Sequence, residues 1–305
     1  YYFMYRYSKT SFYGTELKKT FIPLGLSGIM MGLGCASKWT AVYAAAGLGI
    51  FFFANMFRRY MEYRIARNTP TMSTNGISHQ HIMDVFPKNL IYTLLFCVVF
   101  FVILPGTIYY LSYIPFNDAT GASVWHQMIR NQQTMFNYHS KLEATHPYSS
   151  VWYEWPTTIR PVYYVCNTLS DGRKLAMSAF GNPLVWWAGI FALAYMVYRL
   201  IKKKDAISGF LIFAYMNQLL PWMLVPRCTF AYHYFPSVPF ATIMIGYSMF
   251  CFTKDVKRRK ILCVLYAVTA FSVFLLFFPC LSGKPVTMDY VAGGLKWLRG
   301  WTIAA

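Results

Sequence analysis

Three short stretches place charged side chains beside long apolar runs, and these are where chemistry is most readily seated. In Ser37-Lys38-Trp39-Thr40, Lys38 is the only charge between two apolar runs. An ammonium there can meet a lipid phosphate or pyrophosphate, with Trp39 as an interfacial anchor; equally, Lys38 can simply snorkel to water beside a belt tryptophan. In PWMLVPRCTFAYHYFPSVPF, residues 221–240, Arg227 stands at the mouth of a helical hairpin and His233 begins the return span. A planar, permanently charged guanidinium binds phosphate through paired hydrogen bonds. His233 can donate to the same group, and Tyr232 and Tyr234 can support both. The plain alternative is an interfacial Arg and a satisfied His. Pro221, Pro226, Pro236 and Pro239 break the helices here, and broken backbone at membrane depth is tolerated only where protein or water covers it. In HPYSSVWYEWPTTIRPVYY, residues 146–164, Glu154 lies between Trp152 and Trp155, and Arg160 follows six residues on. Tryptophan faces stack on sugar rings and an acid–base pair holds hydroxyls. The alternative is an aromatic loop dipping into the interface, with Glu154 and Arg160 as a structural ion pair.

Other chemistries find little support. GxSxG, P-loop and HExxH motifs are absent. The seven cysteines fall mostly in apolar runs without CxxC or Cys/His metal spacing, which reads as buried free thiols. His79 and His81 form an isolated HQH, a poor metal site by itself, and no metal is assigned. The acids of the polar interval, Asp118, Glu143, Glu154 and Asp171, include no close pair that would make a general base with a helper. No catalytic residue is therefore assigned within this chain.

The elements that must position these residues are membrane spans. The chain is 57% hydrophobic and 12% charged, about half the charged fraction of soluble domains. Apolar runs at 22–36, 40–57, 90–111, 183–200, 206–225, 233–252 and 261–281 suit spanning helices. The first two share the SKWT break, and 36 residues is too long for one span. The formal charge of +18 could suggest nucleic acid. Its Lys and Arg residues instead come in short clusters between apolar runs, so no nucleic-acid partner is expected. With seven spans, the clusters at 6–19, 58–67, 199–204 and 254–260 all fall on one side, the cytoplasm. The outer side then holds the SKWT turn, residues 112–182, the link at 226–232 and the tail. Residues 122–142 read as an amphipathic helix, with Val124, Met128, Ile129, Met135, Phe136 and Leu142 at helical spacing. It can lie flat on the outer leaflet or pack on the tops of the spans. The expected fold is an all-α integral membrane bundle. Its regions are residues 1–111 with three spans, an extracytoplasmic loop at 112–182, and a four-span region with tail at 183–305.

Four segments together resemble one family. GLSGIMMGLGCASKWTAVYAAAGLG, HPYSSVWYEWP with RPVYY, GNPLVWWAGIFAL, and LPWMLVPRCTFAYHYFPSVPF resemble, in order, stretches of the protein O-mannosyltransferases and cover most of residues 20–250. The resemblance implies a GT-C membrane glycosyltransferase that moves mannose from a polyprenyl-phosphate donor to Ser or Thr hydroxyls of proteins on the outer face. The donor is a substrate, and no further cofactor is implied. Family members have about eleven spans and carry an Asp-Glu catalytic motif in the first outer loop. No Asp-Glu pair occurs in this chain, and Tyr1–Tyr7 reads like the middle of a protein. The resemblance therefore implies the C-terminal part of a longer enzyme, truncated at its N-terminus. Residues 112–182 leave no room for the β-trefoil of eukaryotic members, which resembles a bacterial one at the cell membrane. Arg227, Lys38 and His233 become the donor-phosphate candidates. His146, Trp152, Glu154, Trp155, Arg160, Tyr232 and Tyr234 become those for sugar or acceptor.

Two other classes remain open on the residues. A transporter of lipid-linked sugars would line a path with polar groups, yet the span interiors offer chiefly Asn217 and Gln218. A non-catalytic membrane protein that binds lipid-linked sugar or peptide would need only the outer loop. Within the GT-C class, another sugar or a non-protein acceptor fits the same residues.

Overall fold

The computed structural model describes residues 1–116, 121–141, 143–301 and 303. Asp118 and Leu142 lie outside the described residues. Seven described helical segments are long and apolar enough to cross a membrane: Leu17–Ser37, Ala41–Asn68, His79–Phe116, Pro183–Lys203, Ala206–Leu224, Ala231–Phe252 and Val256–Ser282. They coincide with the seven runs expected from hydropathy. Large apolar side chains such as Phe53, Val102, Phe191, Val264 and Phe271 stand exposed on them, a surface that suits hydrocarbon rather than water. The chain divides into two compact units, Tyr1–Phe136 and Asn137–Ala305.

The first unit runs α1 (Tyr2–Lys9), α2 (Leu17–Ser37), α3 (Ala41–Asn68), a small hairpin of β1 (Ser73–Thr74) and β2 (Ile77–Ser78), α4 (His79–Val98) and α5 (Leu104–Ser112). SKWT is a tight turn between two helices, with Ala41 N–H donating to the Lys38 carbonyl at 2.9 Å. The β1–β2 turn uses Asn75 and Gly76, both at positive φ, the left-handed pair that a two-residue hairpin favours. His79 is held there by its own hairpin: one ring nitrogen meets Thr69 and the other Thr74. Pro105 cannot donate a backbone hydrogen bond, and the chain before it widens into a π-helical turn, Val99–Ile103. Helix α2 packs directly on that turn. A Cβ at Gly28 would lie 2.1 Å from the Phe100 carbonyl oxygen, so only glycine permits the approach.

Helix α6 (Val124–Lys141) is the amphipathic element expected at 122–142. In its first turns Met128 is buried, and the Gln132 amide donates to the Tyr109 and Tyr113 hydroxyls at the end of α5. That favours packing against the end of a span over lying free on a leaflet.

In the second unit, α7 (Pro183–Lys203), α8 (Ala206–Leu219), α9 (Val238–Phe252) and α10 (Val256–Ser282) follow a three-stranded antiparallel sheet in part formed by the polar interval: β3 (Val162–Thr168), β4 (Lys174–Ala179) and, from the tail, β5 (Pro285–Val286). Sequence reading expected no strands in this interval. Phe180, Phe277, Cys280, Leu295 and Trp301 form the core under the sheet. Each of α7, α8 and α10 starts on an acid or amide cap, Asn182, Asp205 and Asp255.

Asp205 does more than cap. Its carboxylate accepts from Arg199 Nε at 2.8 Å, Ser208 Oγ at 2.9 Å and the Tyr247 hydroxyl at 2.9 Å, joining α7, α8 and α9 at one end. Burial opposes its charge, but the donors from Arg199, Ser208 and Tyr247 outweigh that and hold its pKa at about 2. The stabilisation is complete above the ordinary carboxylate range and is lost only as pH falls through about 2. Asp205→Ala, which strands Arg199, is expected to cost about 3 kcal/mol. Thermal unfolding of the detergent-purified protein checks it, and an unchanged Tm would show that the clamp carries no stability.

Candidate functional site

The hairpin mouth between α8 and α9 is where the helix periodicity fails. Leu220–Leu224 and Ala231–Ser237 are tight 3-10 turns, and the chain between them is irregular. The four prolines expected to break the backbone sit in or beside these turns. The aromatic segment lies against this mouth and is pinned to it by a reciprocal pair: Ser150 N–H donates to the Thr229 carbonyl, and Thr229 Oγ1 donates to the Ser150 carbonyl, both at 2.8 Å. Trp155 is 1% exposed. Its Nε1 donates to the Ser150 carbonyl and hydroxyl, and its ring contacts Trp222 and His233. The next turn is tied on as well, since Trp187 Nε1 donates to the Thr157 carbonyl and Trp301 Nε1 to that of Thr158.

Between the two segments opens a cavity of about 870 Å³, large enough for a sugar phosphate and part of a peptide. One wall carries His146, Trp152, Glu154 and Arg160, and the other Trp222, Arg227 and Thr229. Glu154 and Arg160 do not form an ion pair with each other. The Glu154 carboxylate accepts from Val151 N–H at 3.1 Å, and Arg160 Nη1 donates to the Ser149 carbonyl at 3.1 Å. Each is thus spent partly on the loop's own backbone and retains capacity for a hydroxyl ligand. His146 Nδ1 accepts from Tyr148 N–H, and its ring meets Phe230 edge-on.

Arg227 is oriented by neighbours that the sequence did not single out. Its Nε donates to His139 Nδ1 at 2.9 Å, its Nη1 to the Cys228 carbonyl at 2.9 Å, and its guanidinium lies 5.6 Å from the Tyr138 ring centre. No carboxylate pairs with it among the described residues, so its charge remains available to an anion. His139 and Tyr138 belong to the last turn of α6, and only the polar face of that amphipathic helix hinted at them.

The remaining candidates are not among the residues that line the cavity. His233 is buried, with Nδ1 against the Phe230 backbone and its ring 4.2 Å from that of Trp222. Tyr234 is buried with its hydroxyl 2.8 Å from that of Tyr215. Tyr232 is half-buried and stacks on Phe230. These three form the floor that supports the mouth. Lys38 is an exposed residue of the other compact unit, at the C-terminus of α2. Asn217 bonds back to the Phe213 carbonyl of its own helix, as expected of a residue that lines no path. Among the described residues, no group of three or more His, Cys, Asp or Glu side chains is placed to hold a metal.

His139 accepts from Arg227, so its Nδ1 carries no proton in this arrangement. Burial and then the Arg227 charge lower its pKa below the ordinary histidine value. Protonation at lower pH removes the acceptor and adds a positive charge beside Arg227. Ligand binding at the cavity is expected to weaken on the acid side of the ordinary histidine range, as Arg227 loses the acceptor that orients it, and His139→Gln is expected to flatten that acid limb. A binding-versus-pH profile of both proteins checks this, and an unaltered acid limb in the variant would contradict it.

Seven described apolar helices define a multi-pass membrane protein, and a polar cavity in it is bordered by a guanidinium without a carboxylate partner among the described residues. The family model described as the C-terminal four TMM region of protein-O-mannosyltransferase matches residues 124–301, which include the whole cavity. The chain belongs to the protein O-mannosyltransferase family. It is 24% identical over 317 residues to the polyprenol-phosphate-mannose–protein mannosyltransferase of Mycobacterium tuberculosis, covering 90% of this chain and 56% of that protein. The same-named protein of Mycolicibacterium smegmatis is 22% identical, over 95% of this chain and 60% of its own length. Dolichyl-phosphate-mannose–protein mannosyltransferase 4 of Saccharomyces cerevisiae is 27% identical over 39% of this chain and 18% of its length. The chain thus spans somewhat over half the length of the mycobacterial relatives. The solved S. cerevisiae protein O-mannosyltransferase Pmt1-Pmt2 complex bound to the sugar donor aligns over 60% of this chain and 28% of its own, at 20% identity and a TM-score of 0.48.

Proposed function

We propose that this chain is part of a glycosyltransferase that moves mannose from a polyprenyl-phosphate donor to Ser or Thr hydroxyls of proteins. The observation that carries the reading is Arg227. It is a guanidinium without a carboxylate partner, fixed by His139 and the Cys228 carbonyl on the wall of an aromatic cavity. In the proposed reaction, the acceptor oxygen attacks the anomeric carbon as the bond from that carbon to the phosphate oxygen breaks. The phosphate leaves with the electron pair, and the acceptor's proton passes to a base that we assign to no residue of this chain. The protein must mainly hold the phosphate and stabilise its growing charge. Arg227 takes that role. His146, Trp152, Glu154 and Arg160 take the sugar and the acceptor. Trp155, Tyr232, His233 and Tyr234 position the mouth from beneath.

In this reading residues 112–182 form an extracytoplasmic loop between a three-span region at 1–111 and a four-span region at 183–305, and the active face is outside a cell membrane. The basic clusters at the opposite helix ends support that orientation. The direct test is binding of polyprenyl phosphate to the purified whole protein. Saturable binding, displaced by polyprenyl-phosphate mannose but not by the free polyprenol, is expected. Equal displacement by the free alcohol would remove the phosphate from the recognition and overturn the reading.

A further inference from the structure

The first compact unit holds a second cavity, of about 480 Å³, at the end of α3 where the basic cluster begins. It is lined by Lys9 at the end of α1 and Thr10 after it, by Arg58, Arg59 and Glu62 of α3, and by Asn75 of the β1–β2 turn. Arg59 is 1% exposed, the most deeply buried cation there. Its guanidinium carbon lies 4.5 Å from the ring centre of Tyr7 and 4.4 Å from that of Phe12, and Nη1 donates to the Tyr7 hydroxyl. Its Nη2 has no hydrogen-bond partner among the described residues. Arg58, exposed at the rim, donates to the Ser8 carbonyl at 3.3 Å. Neither guanidinium forms an ion pair among the described residues, although Glu62 lines the same cavity.

A buried guanidinium with an unsatisfied N–H and no carboxylate is costly. Aromatic faces offset only part of that cost. Three cations against one carboxylate around a cavity are what a tetrahedral oxyanion matches. One or two turns back along α3, an apolar groove of about 450 Å³ is lined by Leu48, Gly49, Phe52 and Phe53 with Leu94 and Phe101. Phe52 belongs to the same core cluster as Tyr7 and Phe12. The polar cavity and the groove therefore follow one another along a single helix, α3.

We infer that this end of α3 is a binding site for a phosphate group, presented by an anionic membrane phospholipid whose acyl chain lies in the groove. The site shares no lining residue with the Arg227 cavity. The inference needs only that these helices span a membrane. It does not rest on the transfer reaction.

The test uses the whole protein, purified and delipidated in detergent, with phosphatidylglycerol, phosphatidylcholine and inorganic phosphate as probes. Native mass spectrometry counts retained lipid, and thermal unfolding reports coupling. Wild type is expected to retain phosphatidylglycerol about tenfold better than phosphatidylcholine. The double substitution Lys9→Ala with Arg58→Gln, both exposed and safe for folding, is expected to erase that preference. Arg59→Gln is expected to do the same if it folds. Equal retention of the two lipids by wild type, or an unchanged preference in the double variant, would overturn the site. Displacement of phosphatidylglycerol by millimolar inorganic phosphate would keep the anion site and overturn its assignment to a lipid.

Discussion

Arg227→Ala is expected to slow mannose transfer by about 100-fold or more while shifting Tm by no more than about 2 °C. The asymmetry follows from what Arg227 touches. It bonds to one histidine ring nitrogen and one backbone carbonyl and borders an exposed tyrosine. Losing contacts of that kind at a half-exposed position costs on the order of 1 kcal/mol. In the proposed reaction the same guanidinium faces a departing lipid phosphate, where negative charge grows, so its removal is expected to raise the barrier more than it weakens the fold. Arg227→Lys keeps the charge but loses the fork and the Nε contact to His139, and is expected to recover only a small part of the rate. Parallel measurement of turnover and thermal unfolding separates the roles. Comparable losses in both would make Arg227 a structural residue.

Trp155→Ala is expected to act in the opposite way, lowering stability by about 3–5 kcal/mol and abolishing transfer along with it. Trp155 is buried, donates to Ser150 and packs on Trp222 and His233. It therefore joins the aromatic segment to the hairpin mouth rather than meeting a ligand. Trp152, only three residues away in sequence, lines the cavity half-exposed. Trp152→Ala is expected to leave Tm nearly unchanged and to raise KM about tenfold, the loss of one stacking partner. A folded, active Trp155→Ala protein, or a Trp152→Ala protein that unfolds early, would reverse these assignments.

The spans were legible because hydrocarbon leaves little freedom: a run of about 20 apolar residues with charges at its ends has few other uses. SKWT as a turn between two helices followed from length and charge alternation alone. The hairpin of β3 and β4 was not read, although Val162-Tyr-Tyr-Val-Cys-Asn-Thr168 is rich in β-formers and Ser170-Asp171-Gly172 is a turn signal, with Gly172 at positive φ. A polar interval between spans was taken as loop, and the partner strand from residues 285–286 is too short to signal itself. A broken helical hairpin singles out Arg227, the aromatic segment before it singles out Trp152, Glu154 and Arg160, and one cavity collects all four. His139 was not found, because a histidine 88 residues from Arg227 on an amphipathic helix has no local pattern to distinguish it. His233 and Tyr234 are buried and are not among the residues that line the cavity. Their residue types cannot tell a ligand-facing ring from one packed beneath it.

The measurement that tests the central claim most directly is transfer by the whole protein containing these residues, in membranes supplied with polyprenyl-phosphate mannose labelled in the sugar and a Ser/Thr-rich acceptor peptide. Label should appear on the peptide, be released by mild alkali as expected of a glycosidic bond to Ser or Thr, and fall to background in Arg227→Ala. Label that stays on lipid, or moves to a non-peptide acceptor while the peptide remains unmodified, would contradict the account.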